Sequence, residues 1–429
     1  MRVRISKSRP ARRRGTSVIA LGAALALVLA GCGGGDDTAG SGGGAEGGSG
    51  GSSENGLSGD PVKTMTYVPL NSELPTYPAI AETAELYEQW VNDNGGIGGR
   101  PLEVIVCDER GDPTVAAQCA RQAVQEEVTA VVGSYGFTGD VTIPILAEAD
   151  IAYFGTCCPN SVAELSADNS FNLGNGPMYG PALAKRAVED GHENIALLLI
   201  DGAQTYEEPI ANALEALGTE LTKTVILPAE AQDYSPQVAE VTSGGTDAII
   251  AIVSQGPLKA FMPPFAQSGS EAQMYGPQGN LDAEVAEGFE ELLDGAVIGG
   301  AYPDLALPIW DDYRDAMEEY GVEGEDSDYN SLAGLGTWAA YTAFRQVAES
   351  IDGDITAPTF LEAAGSADEV DTGGMVPVLD FTQPWTDGLE GYERLFNRTA
   401  IFSTLENGEV VPLTEDFEDY SDLAQGRAN

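Results

Sequence analysis

Polar and apolar positions alternate with two different periods along most of this chain. Short apolar, β-branched runs at 63–70, 102–107, 128–132 and 151–154 predict strands. Between them, 77–92 places Ile80, Ala84, Tyr87 and Val91 at helical spacing, with Trp90 beside them. Pro113 suits a first helical position and starts a predicted helix reaching Val128. Val141, Ile145, Leu146 and Ala149 mark a further amphipathic helix. After a short extended segment at 171–176, the alternation resumes. Helices are expected at 181–191, 207–218, 233–243, 257–269 and 283–293, and strands at 194–201, 221–228, 247–254, 273–276 and 296–301. Pro263-Pro264 should kink or shorten the helix at 257–269. Helices at 310–320, 332–351 and 359–365 follow, then strands without helices at 375–381, 399–406 and 410–413. Two runs of β-α units, broken near 174–179, predict an α/β fold with two doubly wound, Rossmann-like lobes facing a ligand cleft.

The stretch 128–160 is the expected floor of that cleft. It reads as strand, small-residue loop (134–138), helix, strand and a second small polar loop (155–160). In an open parallel sheet such loops leave the carboxyl ends of strands, where ligands bind. The first loop also opens a helix, whose free N–H groups suit an anionic oxygen. The glycine cluster at 95–99 follows a helix and not a strand, so it is a helix stop and no dinucleotide fingerprint.

Composition narrows the chemistry. The chain has 429 residues and 43% hydrophobic content, enough for a full core. It carries Asp+Glu 68 against Lys+Arg 20, and Arg2, Arg4, Lys7, Arg9, Arg12, Arg13 and Arg14 all precede Cys32 with no acid among them. The remainder is therefore strongly acidic and repels nucleic acid and anionic lipid. His192 is the lone histidine. It is read as a solvated turn residue, and no Ser-His-Asp, Cys-His or multi-histidine metal centre can be built from it. No pair of carboxylates stands out at a strand end, so no catalytic residue, metal or cofactor is assigned.

At the N-terminus, residues 1–31 join a basic region to an apolar run shorter than the ~20 residues of a spanning helix. The run ends Leu29-Ala30-Gly31-Cys32, which resembles the lipobox of bacterial lipoproteins. That likeness implies cleavage before Cys32 and lipid on that cysteine. Residues 32–59, rich in Gly and Ser, then read as a flexible tether of roughly 28 Å root-mean-square span. The expected place of the folded part is the outer face of the cell membrane.

A wider likeness rests on three motifs. These are Trp90-Val91-Asn92-x-x-Gly95-Gly96-Ile97-Gly98-Gly99-Arg100-Pro101-Leu102-Glu103, then Cys107-Asp108-Glu109-x-x-Asp112-Pro113-x-x-Ala116-Ala117, and the loop after Val131-Val132-Gly133. In this order they resemble the solute-binding lipoproteins of ATP-driven (ABC) importers of the branched-chain amino acid type, over roughly 62–402. The resemblance implies a type I periplasmic-binding-protein fold with three crossovers. It places lobe one at 60–176 plus 304–372 and lobe two at 177–303 plus 373–429. It also implies a non-enzymatic, monomeric protein that delivers a small molecule to a permease and its ATPase. The main alternative is a sensor or regulator on the same fold.

Carried over by position, the resemblance puts a ligand carboxylate on Tyr135, Gly136, Phe137 and Thr138, and on Thr156, Cys157 and Cys158, with Tyr135 and Phe137 as apolar walls. Tyr206 stands at the place of an aromatic lid, and Ser254 and Gln255 follow the next strand. Gln278 stands where amino-acid binders carry a glutamate, and the crossover with Asn175 and Tyr179 lacks the family's acid. A buried ammonium needs a carboxylate partner. These two departures therefore favour an amide, urea-like or otherwise neutral solute over an ordinary amino acid.

Four cysteines remain beyond Cys32, which allows three connectivities in an exported domain. Cys107, at a strand end, and Cys119, on the inward face of the next helix, are placed to meet. Cys157 and Cys158 would then form a vicinal bridge, remain two buried thiols, or cross-pair with Cys119.

Overall fold

The computed structural model describes residues 56–427 apart from 73–74, 230, 232 and 322–328. The signal segment, Cys32 and nearly all of the tether lie outside the described residues. The described part begins slightly before Asp60, where the folded part was expected to start. Leu57 is buried over Gly96, and the Ser58 amide donates to the Gly99 carbonyl at 3.0 Å.

The first sheet is built from β1 (Val62–Val68), β2 (Leu102–Asp108), β3 (Ala130–Val132), β4 (Ala152–Phe154) and β5 (Ser170–Phe171). Its order is β2-β1-β3-β4-β5, all parallel. Between the strands run α1 (Pro78–Asp93), α2 (Pro113–Gln125), α3 (Gly139–Ala147) and α4 (Val162–Ser166). Proline in the first turn starts α1 and α2, and the Asp112 carboxylate caps α2 by accepting from the amides of Thr114 and Val115 at 2.8 and 3.0 Å. The short helix α4 went unread in the sequence, although Ser161 and Glu164 form a capping box.

The second half repeats this arrangement. It comprises α5 (Tyr179–Glu189), β6 (Ile195–Ile200), α6 (Glu207–Ala216), β7 (Lys223–Leu227), α7 (Ser235–Val241), β8 (Ala248–Ile252), α8 (Gln255–Ser268) and β9 (Gln273–Pro277). Then come α9 (Ala283–Ala286), α10 (Glu290–Leu293) and β10 (Val297–Gly300). The parallel part runs β7-β6-β8-β9-β10, the same winding as the first sheet. Both faces are covered: Ala196 and Leu198 enter one core, and Ile195, Leu197 and Leu199 the other. Contrary to expectation, α8 keeps its full length through Pro263 and Pro264, with Leu258, Phe261, Met262 and Phe265 buried on both sides of them. Packing of that face outweighs the backbone bonds the prolines remove. The single helix expected at 283–293 is two short ones, because Gly288 turns the chain at φ +79°.

The chain then returns to the first sheet as α11 (Asp311–Tyr320), α12 (Leu332–Glu349) and α13 (Ala357–Ser366). The α12 helix packs on the sheet face through Trp338, Tyr341 and Phe344. The Tyr341 hydroxyl lies 2.8 Å from that of Thr66 and 3.2 Å from that of Thr64. The expected strand at 375–381 is absent: one bridge, Val370 to Leu379, is all that forms. Met375, Val376, Leu379 and Phe381 pack in the first core, not with the second sheet to which the whole tail was expected to belong. Finally β11 (Thr399–Glu406) joins β10 antiparallel, and β12 (Glu409–Pro412) and β13 (Glu418–Asp419) both pair with β11 before α14 (Ser421–Ala424).

The chain thus passes between the sheets three times, and two asparagines tie the passages together. Asn175 Nδ2 donates to the carbonyls of Gly300 and Thr399 at 3.2 and 2.9 Å. Asn397 Nδ2 donates to the Leu173 carbonyl at 2.9 Å.

Candidate functional site

In each sheet the winding reverses beside one strand: next to β1 and β3 in the first, next to β6 and β8 in the second. Loops at the carboxyl ends of these strands are where such sheets bind ligands. The β1 loop carries Tyr77 and the β3 loop carries Tyr135. Tyr206 follows β6, and Gln255 follows β8.

The β3 loop is anchored from below. The Tyr67 amide donates to Ser134 Oγ at 3.0 Å, and the Tyr153 hydroxyl donates to the Ser134 carbonyl at 3.1 Å. Above, the Tyr135 ring meets Tyr77 edge-on at 4.8 Å. Phe137 touches Tyr135 at 5.8 Å but is 47% exposed, so it is a rim residue and not the expected wall. Gly136 lies over Glu109, where a β-carbon would come within 2.8 Å of Oε1. Thr138 is committed as well: its hydroxyl donates to Glu109 Oε2 at 3.1 Å. An internal carboxylate thus takes the hydroxyl expected for a ligand carboxylate. Burial pushes the Glu109 carboxyl above its ordinary range, against the opposing Thr138 bond.

The β4 loop holds Thr156, Cys157 and Cys158. Thr156 is buried beside the Tyr153 phenol. Cys157 (buried) and Cys158 (half-buried) are free thiols, so neither the expected vicinal bridge nor a cross-pair with Cys119 forms. Cys119 instead lies within bonding distance of Cys107, their Cα atoms 5.9 Å apart. Glu164 supports this loop from beneath. Its Oε2 accepts from the amides of Asn160 and Ser161, both at 2.8 Å, and its Oε1 accepts from the Tyr153 hydroxyl at 2.9 Å. Asn160 Nδ2 donates to the Gly136 carbonyl at 3.1 Å and ties the two loops together.

From the other side come Tyr179 and Tyr206, whose rings stack at 5.4 Å. Three amides expected at the ligand are engaged with protein instead. Asn175 holds the crossovers. Gln255 Nε2 donates to Asp282 Oδ2 at 2.5 Å, the carboxylate that caps α9. Gln278 holds the main chain of Tyr302 through both amide atoms.

Two residues escaped the sequence reading. Tyr77 was taken only as a helix start, although it stands in the loop of the other strand at the reversal. Tyr302 follows β10 directly, and an aromatic residue just past a Gly-Gly-Ala strand end was the signal to use. Tyr77 meets Tyr135 edge-on, and the Tyr302 hydroxyl lies against Gly336 beside Cys157. The phenols of Tyr77, Tyr135, Tyr179, Tyr206 and Tyr302 are all raised above the ordinary tyrosine range, by burial first and then by the nearby Cys158 thiol among other groups; Tyr77 and Tyr206 reach about 12. His192 is not the solvated residue expected. It is wedged between Gln273, 3.1 Å from Nε2, and the Tyr275 ring at 5.7 Å. Among the described residues no cluster of His, Cys, Asp and Glu could hold a metal ion, and no helix is long and apolar enough to cross a membrane.

Comparison with known proteins gives one consistent picture. A family model described as periplasmic binding protein matches residues 74–388. A leucine-, isoleucine-, valine-, threonine- and alanine-binding protein of Pseudomonas aeruginosa is 20% identical over 307 residues, 69% of this chain and 79% of that one. A substrate-binding periplasmic protein from Ralstonia solanacearum superposes with a TM-score of 0.68 at 18% identity, covering 83% of this chain and 100% of its own. A fatty acid ABC transporter substrate-binding protein from Thermomonospora curvata also scores 0.68, at 17% identity, covering 87% of this chain and 97% of its own. This family binds solutes and is not enzymatic. With both doubly wound sheets and the match over most of its length, the chain belongs to the periplasmic binding protein family, of the type I kind that includes branched-chain amino acid-binding proteins.

Proposed function

We propose that this protein is a lipid-anchored, extracytoplasmic substrate-binding protein of an ABC importer. It captures a small polar solute (an amino acid, amide or urea-like molecule) between two lobes and delivers it to a permease with its ATPase. The lobes are taken as 60–176 plus 304–372 and 177–303 plus 373–429, with 375–381 packed on the first. The chain works as a monomer, without cofactor, held through Cys32 on the outer face of the cell membrane. One observation carries this reading. Tyr77 and Tyr135, at one sheet's reversal point, meet edge-on, Tyr206, at the other's, stacks on Tyr179 of the crossover, and Tyr302 lies with Cys157 against Gly336 of α12. Loops at such strand ends are where doubly wound sheets bind small molecules.

The test is a thermal-shift and calorimetric screen of the mature chain against amino acids, amides, ureas and carboxylates. One class should raise the melting temperature and bind with one-to-one stoichiometry. If no class does, the solute-binding reading fails. Anchoring is tested separately: Cys32→Ser should abolish incorporation of labelled palmitate and release the protein from the membrane fraction.

A further inference from the structure

The hydroxyl of Tyr302 is buried and has no hydrogen-bond partner among the described residues. A buried polar group without a partner is costly and rare, and it calls for a missing partner. Its position is fixed from behind. Gln278 Nε2 donates to the Tyr302 carbonyl at 3.1 Å, and Gln278 Oε1 accepts from the Tyr302 amide at 3.3 Å. It is also fixed from the side. A β-carbon on Gly336 would lie 2.9 Å from the Tyr302 hydroxyl and 2.4 Å from Cys157 Cβ. Glycine at that place lets α12, the phenol and the cysteine loop meet.

The other four phenols act on one another in pairs, Tyr77 with Tyr135 and Tyr179 with Tyr206. Of the five, Tyr302 is the one whose hydroxyl is buried with no partner among the described residues. The buried acids beneath these loops are Glu109, which holds Thr138, and Glu164, which holds Tyr153. Glu164 already accepts from Tyr153 and two amides, while Glu109 lies under Gly136, bonded to Thr138, with Oε1 unpartnered.

We infer that the solute carries no ammonium group, and that Tyr302 is the specificity-determining residue whose hydroxyl meets its neutral hydrogen-bonding head. This rests on the solute-binding reading above. An ammonium enclosed here would have to reach Glu109 Oε1, beneath Gly136, for the carboxylate that makes its burial tolerable. A phenol both donates and accepts, which fits a neutral amide or carbonyl, and tyrosine rings suit a flat body behind that head.

The experiment is calorimetric titration of the mature chain, and of its Tyr302→Phe and Glu109→Gln variants, with benzamide, acetamide and urea as neutral probes. Leucine and valine serve as zwitterions, and choline as a cation that aromatic cages accept. A neutral probe is expected to bind and the charged ones to be silent. Tyr302→Phe should weaken that binding at least about tenfold, the scale of one lost hydrogen bond. The same variant should leave the melting temperature of the unliganded chain unchanged or raised, which a merely structural tyrosine would not do. Binding of leucine, valine or choline with the neutral probes silent overturns the inference and leaves the solute-binding reading standing. Loss of such binding in Glu109→Gln would then assign the ammonium to Glu109. Unchanged neutral-probe affinity in Tyr302→Phe also overturns it. Silence of every probe, together with failure of the wider screen, overturns both readings.

Discussion

Gln278 and Tyr302 are joined through both amide atoms of the glutamine, at 3.1 and 3.3 Å, and this pairing decides what Gln278 does. The family resemblance led to the expectation that Gln278 faces the ligand. Here it serves as a clamp on the crossover. Gln278→Glu should therefore not create an amine site. The carboxylate cannot donate to the Tyr302 carbonyl and would face it across a contact that was a hydrogen bond. A loss of about 1–3 kcal/mol in urea denaturation is expected, with no gain of leucine binding in titration. Gain of leucine binding with unchanged stability would show that the clamp is dispensable.

The buried Glu109 predicts a pH effect. Its folded pKa is raised above the ordinary 4.5, so the protonated form is the one the fold prefers. Its contribution is fully present below the unfolded value and is lost as pH rises through the folded one. Stability should fall as pH climbs from about 4.5 upward, and Glu109→Gln should flatten that part of the profile while keeping an acceptor for Thr138. Glu164 is raised in the same direction and leaves a residual slope. A profile identical in the variant and the parent would contradict the assignment to Glu109.

Cys157 and Cys158 give a labelling prediction. Burial raises the Cys158 thiol well above its ordinary value, so little thiolate is present at neutral pH and alkylation should be slow. Cys158, half-buried, should still react before the buried Cys157. A solute seated among the five tyrosines should slow Cys158 further. Mass spectrometry of timed iodoacetamide reactions reads all three statements, and equal rates with and without bound solute would place the ligand elsewhere.

The pair Cys107 and Cys119, separated by 12 residues, is placed to form a disulfide between the end of β2 and α2. Closing a loop of that length stabilises by roughly 3 kcal/mol in the chain-entropy account. Cys107→Ala/Cys119→Ala should lower the unfolding midpoint accordingly, and reductant should lower the parent but not the double variant. If reductant changes neither, the bridge does not form in the exported protein.

The alternation of apolar runs was enough to read both doubly wound lobes, because strand and helix periods depend only on neighbours a few residues apart. The family resemblance put Tyr135, Tyr179 and Tyr206 at the ligand, and the structure stacks Tyr179 on Tyr206 and sets Tyr135 against Tyr77. The roles of Asn175, Gln255 and Gln278 were not readable in this way. Each amide found a partner far off in sequence, such as the Thr399 carbonyl for Asn175, and a side chain's capacity to bond says nothing about which partner folding will bring. Thr138 was lost to Glu109, and the length of α8 was kept despite two prolines, for the same reason: long-range packing outweighed a local rule. Tyr302 shows the limit most clearly. The chain records a tyrosine after a strand, and only the tertiary structure buries its hydroxyl without a partner among the described residues.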